Sequence, residues 1–394
     1  MNNFNERISR ELKIISEEGN LRSLKKISDR RGKITEKDGK CLLNFSSNDY
    51  LGFCDDTELQ KDFYSALCSN PYKYAPGSSA SRLLGGNFEL YDELENEIKS
   101  LYQVNNRKAL VFNSGYHANV GIIQALCKKG DLIISDKLNH ASIIDGSRLS
   151  DAEFIRYPHN DLDQLENILS DNPDRNKIII TESVFSMDGD SADIAGLCVL
   201  KNKYNALLYL DEAHSFGVYG SNGGGMASEL NLLSQVDLLV ATFGKAAGGV
   251  GAFVYADLNI IDYLINKCRS FIFSTALPVV SINWNLFALN EIKKSHNRRN
   301  HLKHISKLLR NRLSTAGLKT AGNSHIIPVF VGNSSDAVMF SSLLETESIA
   351  AFAVRPPTVP AGSSRLRLSL SSAFTESEIE HAADIIIETA GKIL

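Results

Sequence analysis

Residues that could carry out catalytic chemistry follow two apolar runs in the middle of the chain. Asp211 and His214 come directly after the run 206–210, and Lys245 comes shortly after the run 238–242. A lysine amine forms a Schiff base with an aldehyde, and a buried carboxylate keeps a pyridine nitrogen protonated. The pattern is therefore typical of an enzyme that carries pyridoxal 5'-phosphate (PLP) on Lys245, with His214 near the phenolic oxygen of the cofactor. An acid that caps a turn and a lysine on the surface would give the same pattern, so both interpretations stay open at this point.

A turn that could hold the phosphate of such a cofactor occurs earlier in the chain. It follows the apolar run 108–112 and opens a predicted helix that continues to about Lys129. Its backbone N–H groups would face an anion at the positive end of that helix. They belong to Ser114, Gly115 and Tyr116. Thr242, three residues before Lys245, has a hydroxyl that could bind the same phosphate, although an ordinary strand-to-helix turn and a buried threonine need no ligand.

Other polar residues have the chemistry for the ring of the cofactor and for a substrate. The ring of His140 could stack on the pyridine, although a lone histidine is more often a packing or capping residue. Arg365 and Arg367 alternate with leucines, which places both on one face of a predicted strand. Planar guanidinium groups bind carboxylates with two hydrogen bonds, so this face could bind the carboxylate of an amino acid. A solvated strand face is the alternative.

An α/β sheet would bring these residues together. Short apolar runs alternate with helical patterns between residues 50 and 275, and the main runs are 108–112, 132–135, 177–181, 206–210 and 238–242. Continuous apolar strands are typical of a mostly parallel sheet with helices on both sides. Ligands bind such sheets beyond the carboxyl ends of the strands, which is where the polar residues named above occur.

Two smaller parts flank this predicted sheet. A helical pattern over residues 4–24 and a short strand precede it, and a long helical region with the basic run 293–307 follows it. The C-terminal part contains three apolar runs and a last helical pattern, at 326–331, 349–354, 366–370 and 376–394. We predict a helical arm with a short strand, a large α/β domain and a small C-terminal α+β domain, over residues 1–49, 50–285 and 286–394.

Composition and charge narrow the class of protein. The 394 residues carry a net charge of −4 and are 43% hydrophobic, which is ordinary for a soluble globular protein and gives no reason to expect nucleic acid or a membrane as a partner. The six cysteines are scattered without metal-ligand spacing, and the N-terminus lacks the apolar core of a signal peptide, so a cytoplasmic protein without a metal is expected. The glycine-serine motif of α/β hydrolases and the glycine-rich nucleotide motifs do not occur, which disfavours a hydrolase built on Ser186 and a nucleotide-binding module.

Seven motifs in order resemble the α-oxoamine synthase family of fold-type-I PLP enzymes, over nearly the full length of the chain. They lie at 44–52 (NFSSNDYLG), 114–116 (SGY), 139–142 (NHAS), 184–190 (VFSMDGD), 211–214 (DEAH), 242–245 (TFGK) and 355–360 (RPPTVP). Seven ordered matches are far more specific than any one of them. Two positions depart from the family pattern, since Tyr116 replaces the usual phenylalanine and Tyr91 the usual histidine.

The resemblance implies a role for each matching residue. Lys245 would carry the cofactor as a Schiff base, Asp211 would pair with the pyridinium and His214 with the phenolate. His140 would stack on the ring and contact substrate, and Ser186 would contact the ring as well. The phosphate region would be held by Ser114, Gly115, Tyr116 and Thr242.

The resemblance also implies substrates and an assembly. Arg22 and Thr358 match substrate-binding positions, and for the amino-acid carboxylate we favour Arg365 over Arg367. The lysine motif and the arginine-proline motif favour a member that condenses L-alanine with a pimeloyl thioester, carried by coenzyme A or by acyl carrier protein. The alternative is a relative that joins glycine to another acyl-CoA. Fold-type-I members are homodimers with the active site at the subunit interface, so a homodimer is implied.

Overall fold

The chain folds into two compact units. The computed structural model describes residues 3–24, 26–31, 33–66 and 69–393. The terminal unit contains the described residues of Met1–Asp55, Met187–Asp190 and Asn300–Leu394, and the central unit contains those of Asp56–Ser186 and Ser191–Arg299. The three-domain division at 1–49, 50–285 and 286–394 stays a prediction about folding domains.

The described residues contain fourteen strands and fourteen α-helices, numbered here along the chain. The strands are β1 (Asp29–Arg31), β2 (Ile34–Lys37), β3 (Lys40–Asn44), β4 (Arg107–Phe112), β5 (Leu132–Asp136), β6 (Glu153–Tyr157), β7 (Lys177–Glu182), β8 (Leu207–Asp211), β9 (Leu238–Thr242), β10 (Ala252–Asp257), β11 (Ile326–Gly332), β12 (Ile349–Ala350), β13 (Ala353–Val354) and β14 (Ser364–Ser369). The helices are α1 (Asn3–Glu17), α2 (Thr57–Ser65), α3 (Glu89–Tyr102), α4 (Gly115–Leu126), α5 (Ala141–Leu149), α6 (Leu162–Ser170), α7 (Ile194–Lys203), α8 (Met226–Glu229), α9 (Leu258–Lys267), α10 (Arg269–Ile272), α11 (Val279–Lys294), α12 (His296–Thr315), α13 (Ser334–Thr346) and α14 (Glu376–Ala390).

The central unit is built on a seven-stranded sheet with the order β4-β10-β9-β8-β7-β5-β6. Neighbouring strands from β9 to β6 are parallel, whereas β10 runs antiparallel to both β4 and β9. The predicted mostly parallel sheet is confirmed, and its five main strands start and end within one residue of the predicted runs. β6 and β10 were not predicted. β6 lies at the sheet edge, where Glu153 and Arg156 interrupt its apolar pattern.

Burial on both faces explains why these segments form strands. All residues of β5 and of β7 are buried. Ile122 and Ile123 of α4 and Ile143 of α5 belong to the core cluster beside the sheet, and burying such a side chain contributes about 1.5–3 kcal/mol. Helix α3 has an apolar face as well, since Leu90, Leu94, Ile98 and Leu101 are all buried. This core fixes the strand ends at which the polar residues lie.

The terminal unit contains two small sheets, with the orders β1-β2-β3-β12 and β11-β14-β13. The strand predicted at 349–354 is wrong as a single element, because the segment changes sheets: β12 pairs with β3 and β13 pairs with β14. The N-terminal helix is shorter than the predicted 4–24, since it ends at Glu17 and the backbone then turns through Gly19 at φ 68°. It buries none of its residues.

The C-terminal helix begins at Glu376 as predicted and ends at Ala390; its predicted end, Leu394, lies outside the described residues. Among the six cysteines, Cys68 also lies outside them. The other five are free thiols. Among the described helices, none has both the length and the apolar character that crossing a lipid bilayer requires.

Candidate active site

Three neighbouring strands of the central unit end in polar residues at one edge of the sheet. β7, β8 and β9 end at Glu182, Asp211 and Thr242, and Glu182 lies opposite Asp211 in the parallel register. All the predicted cofactor residues belong to this unit: Ser114, Gly115, Tyr116, His140, Ser186, Asp211, His214, Thr242 and Lys245. Four predicted substrate residues belong to the terminal unit: Arg22, Thr358, Arg365 and Arg367.

Lys245 and His214 are in direct contact. The distance between Lys245 Nζ and His214 Nε2 is 2.8 Å. His214 is buried, and Lys245 is half-buried in the turn after β9. A contact of this length needs a proton on one nitrogen and a lone pair on the other. The pair can therefore share a proton, which is what a lysine needs in order to act as a nucleophile or a base.

Asp211 is a buried carboxyl group that is held at both oxygens. Its Oδ1 accepts the backbone N–H of Ala213 at 2.8 Å, and its Oδ2 accepts the side-chain amide of Asn119 at 2.7 Å. These two hydrogen bonds fix the direction of the carboxyl group. Ser186 is also buried, in the loop that follows β7.

The predicted phosphate turn lies beside the end of β9. Ser114 caps α4, since its Oγ accepts the backbone N–H of His117 at 3.2 Å. A Cβ atom added to Gly115 would lie 3.8 Å from the Cβ of Thr242, so the start of α4 and the end of β9 are adjacent. The hydroxyl of Thr242 donates to the carbonyl of Gly251 at 2.8 Å. A helix N-terminus has backbone donors that bind a phosphate. The Thr242 hydroxyl would join them by exchanging its hydrogen bond to Gly251 for one to the phosphate.

Tyr116 contributes to this turn through its backbone. Its ring is half exposed, and its hydroxyl donates to Asp145 Oδ2 of α5 at 2.7 Å. This hydrogen bond raises the pKa of the Tyr116 phenol. The side chain therefore links α4 to α5 by a hydrogen bond that a phenylalanine at this position could not form.

His140 caps the start of α5. Its Nδ1 accepts the backbone N–H of Ser142 at 3.2 Å, and its own backbone N–H donates to Glu182 Oε1 at 2.5 Å. The pKa of His140 is lowered, mainly because the surrounding protein partly desolvates its ring, although the residue keeps an exposed surface. The positive charge of Lys245 lowers this pKa further, whereas the negative charge of Asp211 raises it. His140, Asp211 and Lys245 are thus within electrostatic reach of one another.

Two buried carboxyl groups at this edge were not among the predicted site residues. Burial and the neighbouring Asp211 raise the pKa of Glu182 to about 8. Burial raises the pKa of Glu212 to about 7, although its carboxylate accepts the backbone N–H groups of Met226 and Ala227. Glu182 directly follows the apolar run 177–181, and Glu212 comes two residues after the run 206–210. These positions are the sequence signal that could have identified them.

The residues of the central unit fit a PLP cofactor. A lysine with a proton-sharing neighbour, a buried carboxylate with fixed direction and a helix N-terminus beside a threonine all lie at adjacent strand ends. They match the Schiff base, the pyridine nitrogen and the phosphate of that molecule in chemical type. The buried donors and acceptors already have partners in the protein, so the arrangement is fixed before any ligand binds.

In the terminal unit, two predicted substrate residues contact each other. The guanidinium of Arg22 donates from Nη2 to Thr358 Oγ1 at 3.0 Å, on an exposed part of the surface. Nearby, Arg355 donates to the carbonyl of Gly19. The arginine-proline motif and the segment after α1 therefore meet, which could not be inferred from their separation along the chain.

The two arginines of β14 have different surroundings. Arg365 is buried, forms an ion pair with Asp188 and lies with its guanidinium 4.5 Å from the ring centre of Phe330. Arg367 donates to Asn48 Oδ1 at 3.1 Å and to Ser369 Oγ at 2.6 Å. The charge of Arg365 is thus balanced within the protein, whereas these acceptors of Arg367 are neutral oxygens.

The chain belongs to the aminotransferase class I and II family, whose model matches residues 40–386. It is 43% identical to the 8-amino-7-oxononanoate synthase of Chlorobaculum parvum over 382 residues, which cover 96% of this chain and 97% of that protein. The predicted likeness and the predicted transferase class of enzyme are confirmed.

Solved structures show the same fold. The serine palmitoyltransferase of S. paucimobilis with a bound PLP–myriocin adduct is 27% identical, with a TM-score of 0.91, covering 100% of this chain and 99% of that chain. The 8-amino-7-oxononanoate synthase of Francisella tularensis is 29% identical, with a TM-score of 0.75, covering 89% of this chain and 98% of that chain. The predicted fold class, a fold-type-I transferase, is confirmed.

Proposed function

We propose that this chain is a PLP-dependent acyltransferase that condenses L-alanine with a pimeloyl thioester to give 8-amino-7-oxononanoate, a step of biotin biosynthesis. The observation that carries the proposal is the contact between Lys245 and His214 beside the buried Asp211, in a chain with 43% identity to a synthase of that name. The other products are CO2 and the free thiol carrier. One C–C bond forms, between the α-carbon of alanine and the thioester carbonyl carbon, while the C–S bond and the bond to the carboxylate break.

Residues of the central unit bind the cofactor. Bound PLP supplies a cationic ring that stabilises negative charge at the amino-acid α-carbon. Asp211 would keep the proton on the pyridine nitrogen, and His214 would hydrogen-bond the phenolic oxygen. Ser186 and His140 would contact the ring. The phosphate would be bound by Ser114, Gly115, Tyr116 and Thr242.

Lys245 has two functions in this proposal. It anchors the cofactor, and its freed amine removes the α-proton of alanine. An amine acts as a base only when it is neutral, and the neighbouring imidazole of His214, 2.8 Å away, can share the proton. The ring of His140 limits the movement of the reacting groups, so that the breaking bond keeps its alignment.

The carboxylate of alanine is bound by an arginine of β14. Of the two, Arg367 is now favoured over Arg365, which reverses the order expected from the sequence. Arg365 is committed to Asp188, and breaking that pair would leave a charge unbalanced. Arg22 and Thr358 bind the acyl substrate, and the hydrogen bond between them prearranges the pair.

Two copies of the chain form the active enzyme in this proposal, in the cytoplasm, with the site at their interface. Nucleic acid is not a partner. The basic run 293–307 supports the absence of a nucleic-acid partner, because three of its cations pair with acids of the same chain: Lys293 with Glu97, Lys294 with Glu291 and Arg298 with Asp56. Such pairs leave little of the positive charge to attract a polyanion.

Borohydride reduction of the purified protein with PLP, followed by peptide mapping, tests the covalent part. The expected result is a pyridoxyl adduct on the peptide that contains Lys245, and an adduct elsewhere would contradict the assignment. Turnover of L-alanine and of glycine with pimeloyl-CoA and pimeloyl-acyl carrier protein then tests the reaction. Faster turnover of glycine with a shorter acyl-CoA would favour the alternative relative instead.

A further inference from the structure

One buried amide joins two of the proposed catalytic groups. Asn119 lies in the second turn of α4 with 2% of its surface exposed. Its Nδ2 donates to Asp211 Oδ2 at 2.7 Å and to Ser142 Oγ at 2.9 Å. Its Oδ1 accepts the hydroxyl of Tyr209 at 2.6 Å. Because the ionised carboxylate of Asp211 only accepts hydrogen bonds, the amide nitrogen has to face it, and the orientation of the amide is fixed.

The hydrogen bonds continue from Asn119 to His140. Ser142 Oγ accepts from Asn119, so its own hydrogen can point to His140 Nδ1, which lies 2.7 Å away. The backbone N–H of Ser142 is directed at the same ring nitrogen, at 3.2 Å. Two donors converge on Nδ1, which must therefore hold a lone pair. In a neutral imidazole the proton is then on Nε2.

We propose that Asn119 is a positioning residue that fixes His140 as the neutral Nε2–H tautomer, through Ser142, while it holds the carboxylate of Asp211. A single side chain thus sets the direction of two groups that come from separate elements, the end of β8 and the start of α5. His140 then offers a hydrogen-bond donor at Nε2 and no acceptor there. The catalytic meaning of this arrangement rests on the proposed function, whereas the tautomer does not.

The charged groups around His140 are compatible with a neutral ring. Asp211 and Asp145 favour a cation on the imidazole, whereas Lys245 and desolvation disfavour it and together lower its pKa. The carboxyl group of Glu182 accepts the backbone N–H of His140. Like Lys245, the two donors at Nδ1 lower the pKa of His140, because a hydrogen on Nδ1 would point at the hydrogens of these donors.

Nitrogen NMR of the holoenzyme with labelled histidine side chains measures the tautomer directly. The signals of His140 are identified as those absent from the His140→Asn variant. The expected result is one protonated nitrogen, Nε2, at neutral pH. In Ser142→Ala, which removes one donor and leaves the contact between Asn119 and Asp211, we expect a mixture of tautomers and a higher pKa of His140. An Nδ1–H tautomer in the unmodified protein, or an unchanged His140 spectrum in Ser142→Ala, would overturn the proposal.

The matched control is Ser147→Ala. Ser147 is a buried serine on the same helix, and its hydroxyl donates to the carbonyl of Ile143 at 2.8 Å, outside the network. Its substitution is expected to leave the His140 signals unchanged. A shift equal to that of Ser142→Ala would mean that any perturbation of α5 alters the ring, and this too would overturn the proposal.

Kinetics link the network to the reaction. Asn119→Ala is expected to lower kcat about tenfold, the effect of about one net hydrogen bond, with KM for L-alanine changed less than about twofold. Tyr209→Phe retains both donors of Asn119 and should have a smaller effect, and it decides the question if Asn119→Ala does not fold. A KM effect without a kcat effect contradicts a role in positioning. If the protein does not condense alanine at all, the proposed function fails while the NMR result still decides the tautomer.

Discussion

The predicted cofactor residues and the predicted substrate residues Arg22 and Thr358 are held in different ways. In the central unit, Asp211 and His214 are buried and belong to hydrogen-bond networks that reach several elements. In the terminal unit, Arg22 and Thr358 share one hydrogen bond on an exposed surface. Buried networks resist change because each unpaired member costs free energy, whereas an exposed contact is easily exchanged for water. The buried residues proposed for the chemistry are thus fixed by the fold, whereas substitutions at the exposed pair proposed for acyl binding should cost little stability.

The largest effect is expected at Lys245. Lys245→Ala removes the covalent anchor and the base, and a positioned base alone contributes about 10²–10⁴-fold to a rate. The release of CoA from pimeloyl-CoA in the presence of L-alanine should therefore fall at least about a hundredfold. Lys201→Ala is the control, because Lys201 is a mostly buried lysine of the same unit that pairs with Asp237 and has no proposed role in the reaction. Residual activity close to that of the control would contradict the assignment.

Substitutions of the two arginines of β14 should have different effects, one on substrate binding and the other on protein stability. Arg367→Met is expected to raise KM for L-alanine about a hundredfold, since a hydrogen-bonded charge pair contributes roughly 3 kcal/mol. Arg365→Met leaves Asp188 without its ion-pair partner, so its main effect should be a lower Tm. Steady-state kinetics and thermal melting of both variants measure the difference. The reverse pattern would restore the order expected from the sequence.

The buried region should also make stability depend on pH. Burial raises the pKa of Glu212 from 4.5 to about 7, so between these values the folded protein holds a proton that the unfolded chain releases. Its contribution to stability is present below pH 4.5 and is lost as the pH rises to about 7, with a slope of up to about 1.4 kcal/mol per pH unit. Urea unfolding of the protein and of Glu212→Gln across this range should show a less negative slope in the variant. Equal slopes would show that Glu212 is ionised in the folded protein.

The smallest effect is expected in the exposed pair. Thr358→Val retains the shape of the side chain and removes the hydroxyl that accepts from Arg22. We expect KM for pimeloyl-CoA to rise about threefold, in the range of one exposed hydrogen bond, with kcat and Tm unchanged. Thr320→Val is a suitable control in the same unit, because the Thr320 hydroxyl lies on the surface, 3.0 Å from Ser314 Oγ, and has no proposed role in substrate binding. If Thr358→Val changed kcat as much as Asn119→Ala, the proposed difference between the buried network and the exposed pair would be wrong.

The sequence predicted the large sheet well because its strands are buried on both faces. The runs at β5, β7 and β9 are continuous and apolar, and a pattern of that kind has few other structures available. The strand at 349–354 failed for the opposite reason. Its six residues are equally apolar, but two of them pair in one sheet and two in another, and no local pattern records a change of sheet.

The sequence predicted individual residues of the site but not the hydrogen-bond network that joins them. Lys245 and Asp211 could be found because they follow apolar runs. Asn119 could not, since it is a polar residue inside an otherwise apolar helix face, and its partners Ser142 and Tyr209 come from distant parts of the chain. The order of Arg365 and Arg367 depended in the same way on Asp188, whose position near β14 appears only in three dimensions.

The antiparallel strand β10 has a consequence for the order of assembly during synthesis on the ribosome. β4, which leads into the phosphate turn, pairs in its sheet with β10, and Phe112 lies opposite Ala252. In a nascent chain that ends at Lys245, β4 therefore lacks the strand with which it pairs in the described sheet. The sheet can hold the phosphate turn after β4 only once β10 has been synthesised.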